Sequence, residues 1–274
     1  MCGDEDGFNL SSEAYLEKHQ ILFYFEDCIN QLLQYRDENP KVNTIKFINE
    51  YFYSLKCGTH VMFRDFEFIN ATPHNRISFL KIFWQFFKQI GKKGDLLTVQ
   101  EYHSLITLIC PDLPFDLVQK TARIILLDDA LDSLISFADF LYAFQVQFYY
   151  QEFIQKCGEI YSVLHCQRSP RDPVVVPTSD IANLHTVSTC TSPPADGVEA
   201  ISFLRAIMHL RDKKKIGSAF SIPPVQVLQE IFTSTSTSHI SFYEFLMALA
   251  RNEMLNAALG GLPSKSKVFD TRKV

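Results

Sequence analysis

Glycine is scarce in this chain, 10 residues against 24 phenylalanines. That balance argues against a loop-rich all-β design and for helices packed through aromatic side chains. Long apolar runs are missing as well. The nearest, 134–150, is broken by Asp139, Gln145 and Gln147, short of the roughly 18 residues a membrane-spanning helix needs. There is no basic excess: a net charge of −5 and a pI near 5.9 give no reason to expect nucleic acid as a ligand. The seven cysteines (Cys2, Cys28, Cys57, Cys110, Cys157, Cys166, Cys190) are odd in number and lack a CxxC pair, as expected of reduced thiols. The opening MCGDEDGF has no apolar h-region and no Met-Gly start, so neither a secretory signal nor myristoylation is expected. The expectation is a soluble, cytoplasmic protein without membrane insertion.

The common catalytic signatures are missing too. No GxxxxGK or GxGxxG loop cradles phosphate, and neither GxSxG nor HExxH is present. Cys57 and His60 are spaced like half a zinc site, but no second half follows and His74 is a lone further candidate. Acidic pairs such as Asp128-Asp129 stand beside no nucleophile. We expect neither an enzyme nor a cofactor.

What the chain does have is helical periodicity. Its densest aromatic stretch, 128–153, reads DDALDSLISFADFLYAFQVQFYYQEF. Ser136 and Asp139 have the spacing of a capping box and start a helix. Phe137, Leu141, Phe144 and Phe148 make one stripe, and Tyr142, Val146, Tyr149 and Phe153 repeat it roughly 140° around the axis. A helix with two apolar stripes is either buried between layers or offers one stripe to a partner.

Upstream, Tyr15, His19, Leu22, Ile29 and Leu33 predict one helix capped by Ser11 or Ser12 and stopped at Pro40. Ile45, Ile48, Phe52 and Leu55 predict a second, after Asn43 or Thr44. This short hairpin, with Phe47 and Glu50-Tyr51-Phe52 in its second helix, resembles the dimerization/docking module of protein kinase A regulatory subunits. In that family two hairpins form a four-helix bundle whose groove takes an amphipathic helix. The plain alternative is an αα-hairpin packed on its own chain. Residues 58–72 alternate (Val61, Phe63, Phe66, Phe68) and predict a short extended segment, after which Thr72-Pro73 opens a helix and Gly91 and Gly94 end it.

Three stretches have the outline of an EF-hand with eroded ligands. In each a hydrophobic residue stands at loop position eight (Leu97, Ile135, Ile240) and a carboxylate at twelve (Glu101, Asp139, Glu244). The first has Ile90, Lys92 and Gly94 at positions one, three and five; the third has Thr233, Thr235 and Thr237. Neither balances a divalent charge. The second keeps oxygens at Asp128, Asp132, Ser136 and Asp139, which makes Asp128, Asp132 and Asp139 the weak metal candidates, with Ala130 at position three. The expected fold is all-α: a docking-like hairpin followed by degenerate EF-hand-like helical pairs.

The domain organisation follows. Residues 1–12 form a disordered N-terminus, 13–57 the hairpin and 58–166 an EF-hand-like domain. Residues 167–197 are a Pro/Ser/Thr-rich linker in which Ser169 and Ser192 precede proline. Residues 198–262 are a C-terminal helical segment with one EF-like unit, and 263–274 a basic tail. Lys213, Lys214 and Lys215 close a helix, where they either complement its dipole or meet an acidic partner.

Several segments together resemble the centriolar satellite-associated tubulin polyglutamylase complex regulators of animal cells: EYFYSLKCGTHVMFRDF (50–66), ATPHNRISFLKIFW (71–84), GDLLTVQEYHSLITLICPDLP (94–114), the 128–153 stretch and SFYEFLMAL (241–249). The resemblance implies a non-catalytic scaffold that supports assembly, stability and placement of the complex, with the ligase chemistry on another subunit. It implies complex subunits and centriolar satellite proteins as partners, with tubulin or microtubules a further candidate. It also implies location in the cytoplasm and cytoskeleton, at centriolar satellites, the centrosome and the base of the cilium. Candidate contacts are Phe47, Tyr51 and Phe52 in the hairpin, Tyr142, Tyr149 and Tyr150 on the second stripe, and Lys213, Lys214 and Lys215 for acidic tubulin tails. A calcium-responsive EF-hand protein is the alternative.

Overall fold

The computed structural model describes residues 11–126, 132–167, 197–214, 220–234 and 238–263. Among them are thirteen helices and two two-stranded antiparallel ladders, the all-α class expected. The chain divides into two compact units, Met1–Lys88 with Ser104–Pro114, and Gln89–His103 with Phe115–Val274. Residues 58–88 thus fall in the same unit as the hairpin, whereas the helical spacing places a boundary at 57.

In the first unit, Ser11 caps α1 (Ser12–Lys18) by accepting the Ala14 N–H at 3.2 Å. The single helix expected from Tyr15 to Leu33 is broken. Gln20 takes a left-handed conformation, φ 53°, because the chain closes α1 on itself: the Gln20 N–H and side-chain amide both donate to the Glu17 carbonyl, at 3.1 and 2.9 Å. Helix α2 (Ile21–Glu38) then runs to just before Pro40. Asn43 caps α3 (Thr44–Cys57), accepting the Lys46 N–H at 3.0 Å. Gly58 ends it at φ 74°, where the Thr59 N–H reaches back to the Ser54 carbonyl. Only glycine takes that left-handed position without strain.

The extended segment expected at 58–72 is instead a turn followed by α4 (Phe66–Ala71). Its cap is supplied from a distance: the Asp112 carboxylate accepts the Phe66 N–H at 2.9 and 3.0 Å. No local pattern announces such a cap. Helix α5 (Pro73–Lys93) starts as expected, with the Thr72 hydroxyl accepting the Asn75 N–H at 3.1 Å. It runs through Gly91 and stops at Lys93, before Gly94. A Cβ at Gly91 would sit 2.9 Å from the Phe137 ring, which explains a glycine within the helix.

In chain order there follow β1 (Leu96–Leu97), α6 (Val99–Thr107), α7 (Phe115–Leu126), β2 (Ile135–Ser136), α8 (Phe137–Tyr149), α9 (Gln151–Gln167), β3 (Val198–Glu199), α10 (Ala200–Lys214), α11 (Val225–Ser234), β4 (His239–Ile240), α12 (Phe242–Arg251) and α13 (Glu253–Leu259). The position-eight residues of the EF-like loops meet across the ladders. Leu97 lies opposite Ile135, and Ile240 opposite Val198. Val198 thereby marks a fourth EF-like unit that sequence reading missed, since residues 168–196 separate it from α9.

Helix α8 packs against α7, α9 and α12. Of its 13 residues, all but Asp139 and Tyr149 are buried. The Phe140 ring stacks flat on Tyr102 at 3.8 Å, and Phe144 stacks between Phe140 and Phe148. Val146, Tyr150 and Phe153 join Phe203, Leu228 and Phe245 in one cluster. Both stripes are covered. Among the described residues no helix is long and apolar enough to cross a membrane.

Candidate protein-docking surface on the N-terminal hairpin

The hairpin of α2 and α3 is held from its inner side by two polar clasps. Asp27 on α2 accepts from Tyr51 on α3 at 2.7 Å, from Gln31 at 2.7 Å, and from both Arg64 guanidinium nitrogens at 3.1 and 2.6 Å. That guanidinium also lies 3.6 Å over the Phe68 ring, so one carboxylate ties α2, α3, the turn and α4. Burial alone would push the Asp27 carboxyl up; the Arg64, Tyr51 and Gln31 hydrogen bonds and the Arg64 charge together hold it below the usual carboxylate range.

The second clasp centres on Tyr24. Its hydroxyl donates to Asn75 Oδ1 at 2.8 Å and bonds the Thr72 hydroxyl at 2.8 Å. Asn75 in turn donates to the Phe68 carbonyl, and its Oδ1 bonds His60 Nε2 at 2.8 Å. An amide oxygen only accepts, so His60 carries its proton on Nε2. Its Nδ1 is buried without a partner. Burial, first of all, lowers the His60 pKa below the ordinary histidine value.

With Tyr24, Cys28 and Tyr51 buried between the helices, the opposite sides of both helices face outward. On α2 the outward stripe is Leu22, Phe25, Ile29 and Leu33; on α3 it is Ile45 and Ile48, with Phe52 half-buried. Leu22 is 66% exposed and Ile45 82%. Their spacings, three or four residues or multiples of these, make each set a helical stripe. The Phe25 and Phe52 rings meet at 5.0 Å, which joins the two stripes into one apolar surface. Singly scattered apolar residues are ordinary on a protein surface; a contiguous two-helix face is the mark of an interaction site.

The sequence candidates fall in four groups. Phe47 and Phe52 are half-buried at the edges of this surface, Phe47 stacked on Tyr35 at 5.8 Å. Tyr51, Tyr142 and Tyr150 are buried, the last two at 2% and 3% exposure. The Tyr51 hydroxyl is taken by Asp27 and that of Tyr142 by the Pro263 carbonyl at 2.7 Å, so none of the three is presented for partner contact. Tyr149 is half-buried beside the core. Lys213 and Lys214 lie on α10, but their side chains, like all of Lys215, fall outside the described residues. Leu22, Ile29, Leu33, Ile45 and Ile48 are the stripes that periodicity marks on the two helices of the hairpin, left open between a docking groove and a face packed on the chain itself. They point outward because Tyr24, Cys28, Asp27 and Gln31 take the inner side of α2. Phe25 was not singled out at all.

The loop carboxylates also have assigned work. Glu101 accepts from the Thr98 N–H and hydroxyl, at 2.7 and 2.9 Å, and Glu244 accepts the Ser241 N–H at 2.8 Å. Asp139 accepts the Ser136 hydroxyl at 2.6 Å, so it serves the cap without reaching a backbone N–H. Each position-twelve acid is turned onto position nine, closing the first turn of its own helix. The Thr98 backbone bond, then its hydroxyl, holds Glu101 below the usual range. Asp132 and Asp139 are exposed, and Asp128 lies outside the described residues. Among the described residues no three His, Cys, Asp or Glu side chains are grouped to hold a metal. Cys57 is exposed while His60 is buried on Asn75 and stacked on His74 at 5.3 Å.

The family model described as the CSTPP1 N-terminal domain matches residues 9–58, the segment that forms this hairpin. The chain is 45% identical over 261 residues to the centriolar satellite-associated tubulin polyglutamylase complex regulator 1 of Bos taurus, covering 95% of this chain and 78% of the relative. To the protein of the same name in Danio rerio it is 44% identical over 266 residues, 97% and 78% of the two chains. To that of Homo sapiens it is 44% identical over 261 residues, 95% and 77%. No solved structure matches. With that identity along nearly its whole length, the chain belongs to the family of centriolar satellite-associated tubulin polyglutamylase complex regulators.

Proposed function

We propose that this protein is a non-catalytic scaffold of a tubulin polyglutamylase complex, and that the outward face of α2 and α3 is where a complex subunit docks. The observation that carries this reading is the contiguous uncovered surface of Leu22, Phe25, Ile29, Leu33, Ile45 and Ile48. Burying even half of it against an amphipathic partner helix stabilises a complex at roughly 25 cal/mol per Å² of apolar area, less the cost of association. The rest of the molecule supports a binding role: position-twelve carboxylates cap helices, and the Tyr51, Tyr102 and Tyr142 hydroxyls are bonded inside the chain. Docked through its hairpin, the protein supports assembly and stability of the complex and its placement at centriolar satellites in the cytoplasm, near the centrosome and the base of the cilium. Microtubule polyglutamylation then depends on it indirectly.

The test is co-purification from cells lacking the endogenous protein. A Leu22→Asp/Ile29→Asp variant is expected to fold, to lose the glutamylase subunits and to leave tubulin glutamylation low, where the wild-type protein restores both. Retention of all subunits by the folded variant would rule out the hairpin face. Normal glutamylation in cells without the protein would rule out the scaffold role itself.

A further inference from the structure

Beside the docking face, the first unit contains an open cleft of about 590 Å³ where the ends of four helices converge. Lys18 and His19 enter it from the end of α1, Lys56 from the end of α3, and His74 from the first turn of α5; Phe52 and Leu55 form an apolar wall. Among the described residues, none that lines it is acidic. Neither Lys18 nor Lys56 has a carboxylate partner among the described residues.

The backbone adds to the same sign of charge. Helix α2, 18 residues long, begins on the cleft at Gln20, whose side chain does not cap it. Helix α5, 21 residues long, begins there at Pro73. Helix N-termini carry partial positive charge within their first turn. Left-handed Gln20, a conformation that L-residues other than glycine seldom adopt, sets where α2 begins. Lys18 and Lys56, from two helices, together with the start of α2 that the Gln20 side chain leaves uncapped, therefore make one electropositive, half-apolar recess.

We propose that this cleft binds the carboxylate side chains of a glutamate-rich peptide. Lys18 and Lys56 hold carboxylates, and the Phe52–Leu55 wall packs against the side-chain methylenes. The cleft has the size of a ligand pocket for several side chains and exceeds what one small inorganic anion fills. Its cations are Lys18 and Lys56, with no arginine fork of the kind that favours bidentate phosphate recognition. The choice of glutamate among acidic peptides rests on the polyglutamylase reading above; the electropositive recess does not.

Titration calorimetry on the full chain with a hexaglutamate peptide tests this, with hexaglutamine and inorganic phosphate as the other arms. Hexaglutamate is expected to bind and to weaken as salt screens the charges, while hexaglutamine gives no heat. A Lys18→Gln/Lys56→Gln variant, altered only at exposed positions, is expected to keep its unfolding midpoint and lose about tenfold in affinity. Three results would each overturn the proposal: no hexaglutamate binding, undiminished binding by the double variant, or binding of phosphate alone. The scaffold reading fails separately. The lysine variant should still co-purify with the complex, and the Leu22→Asp/Ile29→Asp variant should still bind hexaglutamate.

Discussion

Helices α8 and α2 share one sequence feature, apolar residues on two sides of the cylinder, and the fold uses it in opposite ways. On α8 both stripes are buried, and the Tyr142 hydroxyl on the second is bonded to Pro263. On α2 only Tyr24 and Cys28 are buried, while Leu22, Phe25, Ile29 and Leu33 face outward. The difference lies in the surroundings. Helix α8 has α7, α9 and α12 around it, whereas on the outward side of α2 Phe25 meets Phe52 of α3 and Leu22, Ile29 and Leu33 are exposed. Two stripes on a helix therefore indicate demand for cover, and the neighbours decide whether the chain supplies that cover itself.

The sharpest way to break this comparison is through the energetics of the two helices. Phe140→Ala on α8 removes a fully buried ring stacked on Tyr102 and should cost about 3–5 kcal/mol in denaturant unfolding. A loss below about 1 kcal/mol would mean that α8 is far less enclosed than its burial indicates. On the inner side of α2, Asp27→Asn leaves the Arg64 guanidinium without its bidentate partner. Both groups are partly buried, at 13% and 24% side-chain exposure, and the expected loss is roughly 2 kcal/mol.

Acid should act on the inner side of α2 in two steps. The His60 pKa is lowered in the folded chain, so the unfolded chain takes up a proton that the folded chain refuses. Stability is then full above a pH of about 6.5 and falls as pH drops from there through the lower folded value. Asp27 is also lowered; its contribution is present above a pH of about 3.9 and is lost as pH falls below that through the folded value. Thermal unfolding of wild type and His60→Gln between pH 7.5 and 5.5 checks the first step: the variant's midpoint should change less.

The smallest stability effect belongs to the outward stripe. Ile29→Gln/Leu33→Gln should change unfolding free energy by less than about 0.5 kcal/mol per site while weakening capture of the complex. A large loss of stability at these positions would show that the stripe is covered within the chain, and the contrast between the two helices would disappear.

Much of the local structure was legible in the sequence. Ser11, Asn43, Thr72 and Ser136 all cap helices as their side-chain chemistry allows. The hydrophobic residues at loop position eight form the ladders. Three features were not legible. The break at Gln20 depends on how α1 closes, α4 depends on a cap from Asp112, and the fourth EF-like unit is separated from α9 by 168–196. Periodicity marks Leu22, Ile29, Leu33, Ile45 and Ile48 as stripes but does not distinguish a stripe packed on the chain from one left uncovered.

The sequence by itself determined the helical class, most helix starts, the eroded calcium ligands and the family, because each depends on residues near one another or on extended similarity. Only the tertiary structure decided which apolar stripe stays uncovered. Periodicity measures direction around one helix axis, whereas burial depends on what else occupies that direction. On α2, the bonds of Asp27 to Tyr51 and Arg64 and of Tyr24 to Asn75 fix the inner side. The other stripe, Leu22, Phe25, Ile29 and Leu33, is left facing solvent.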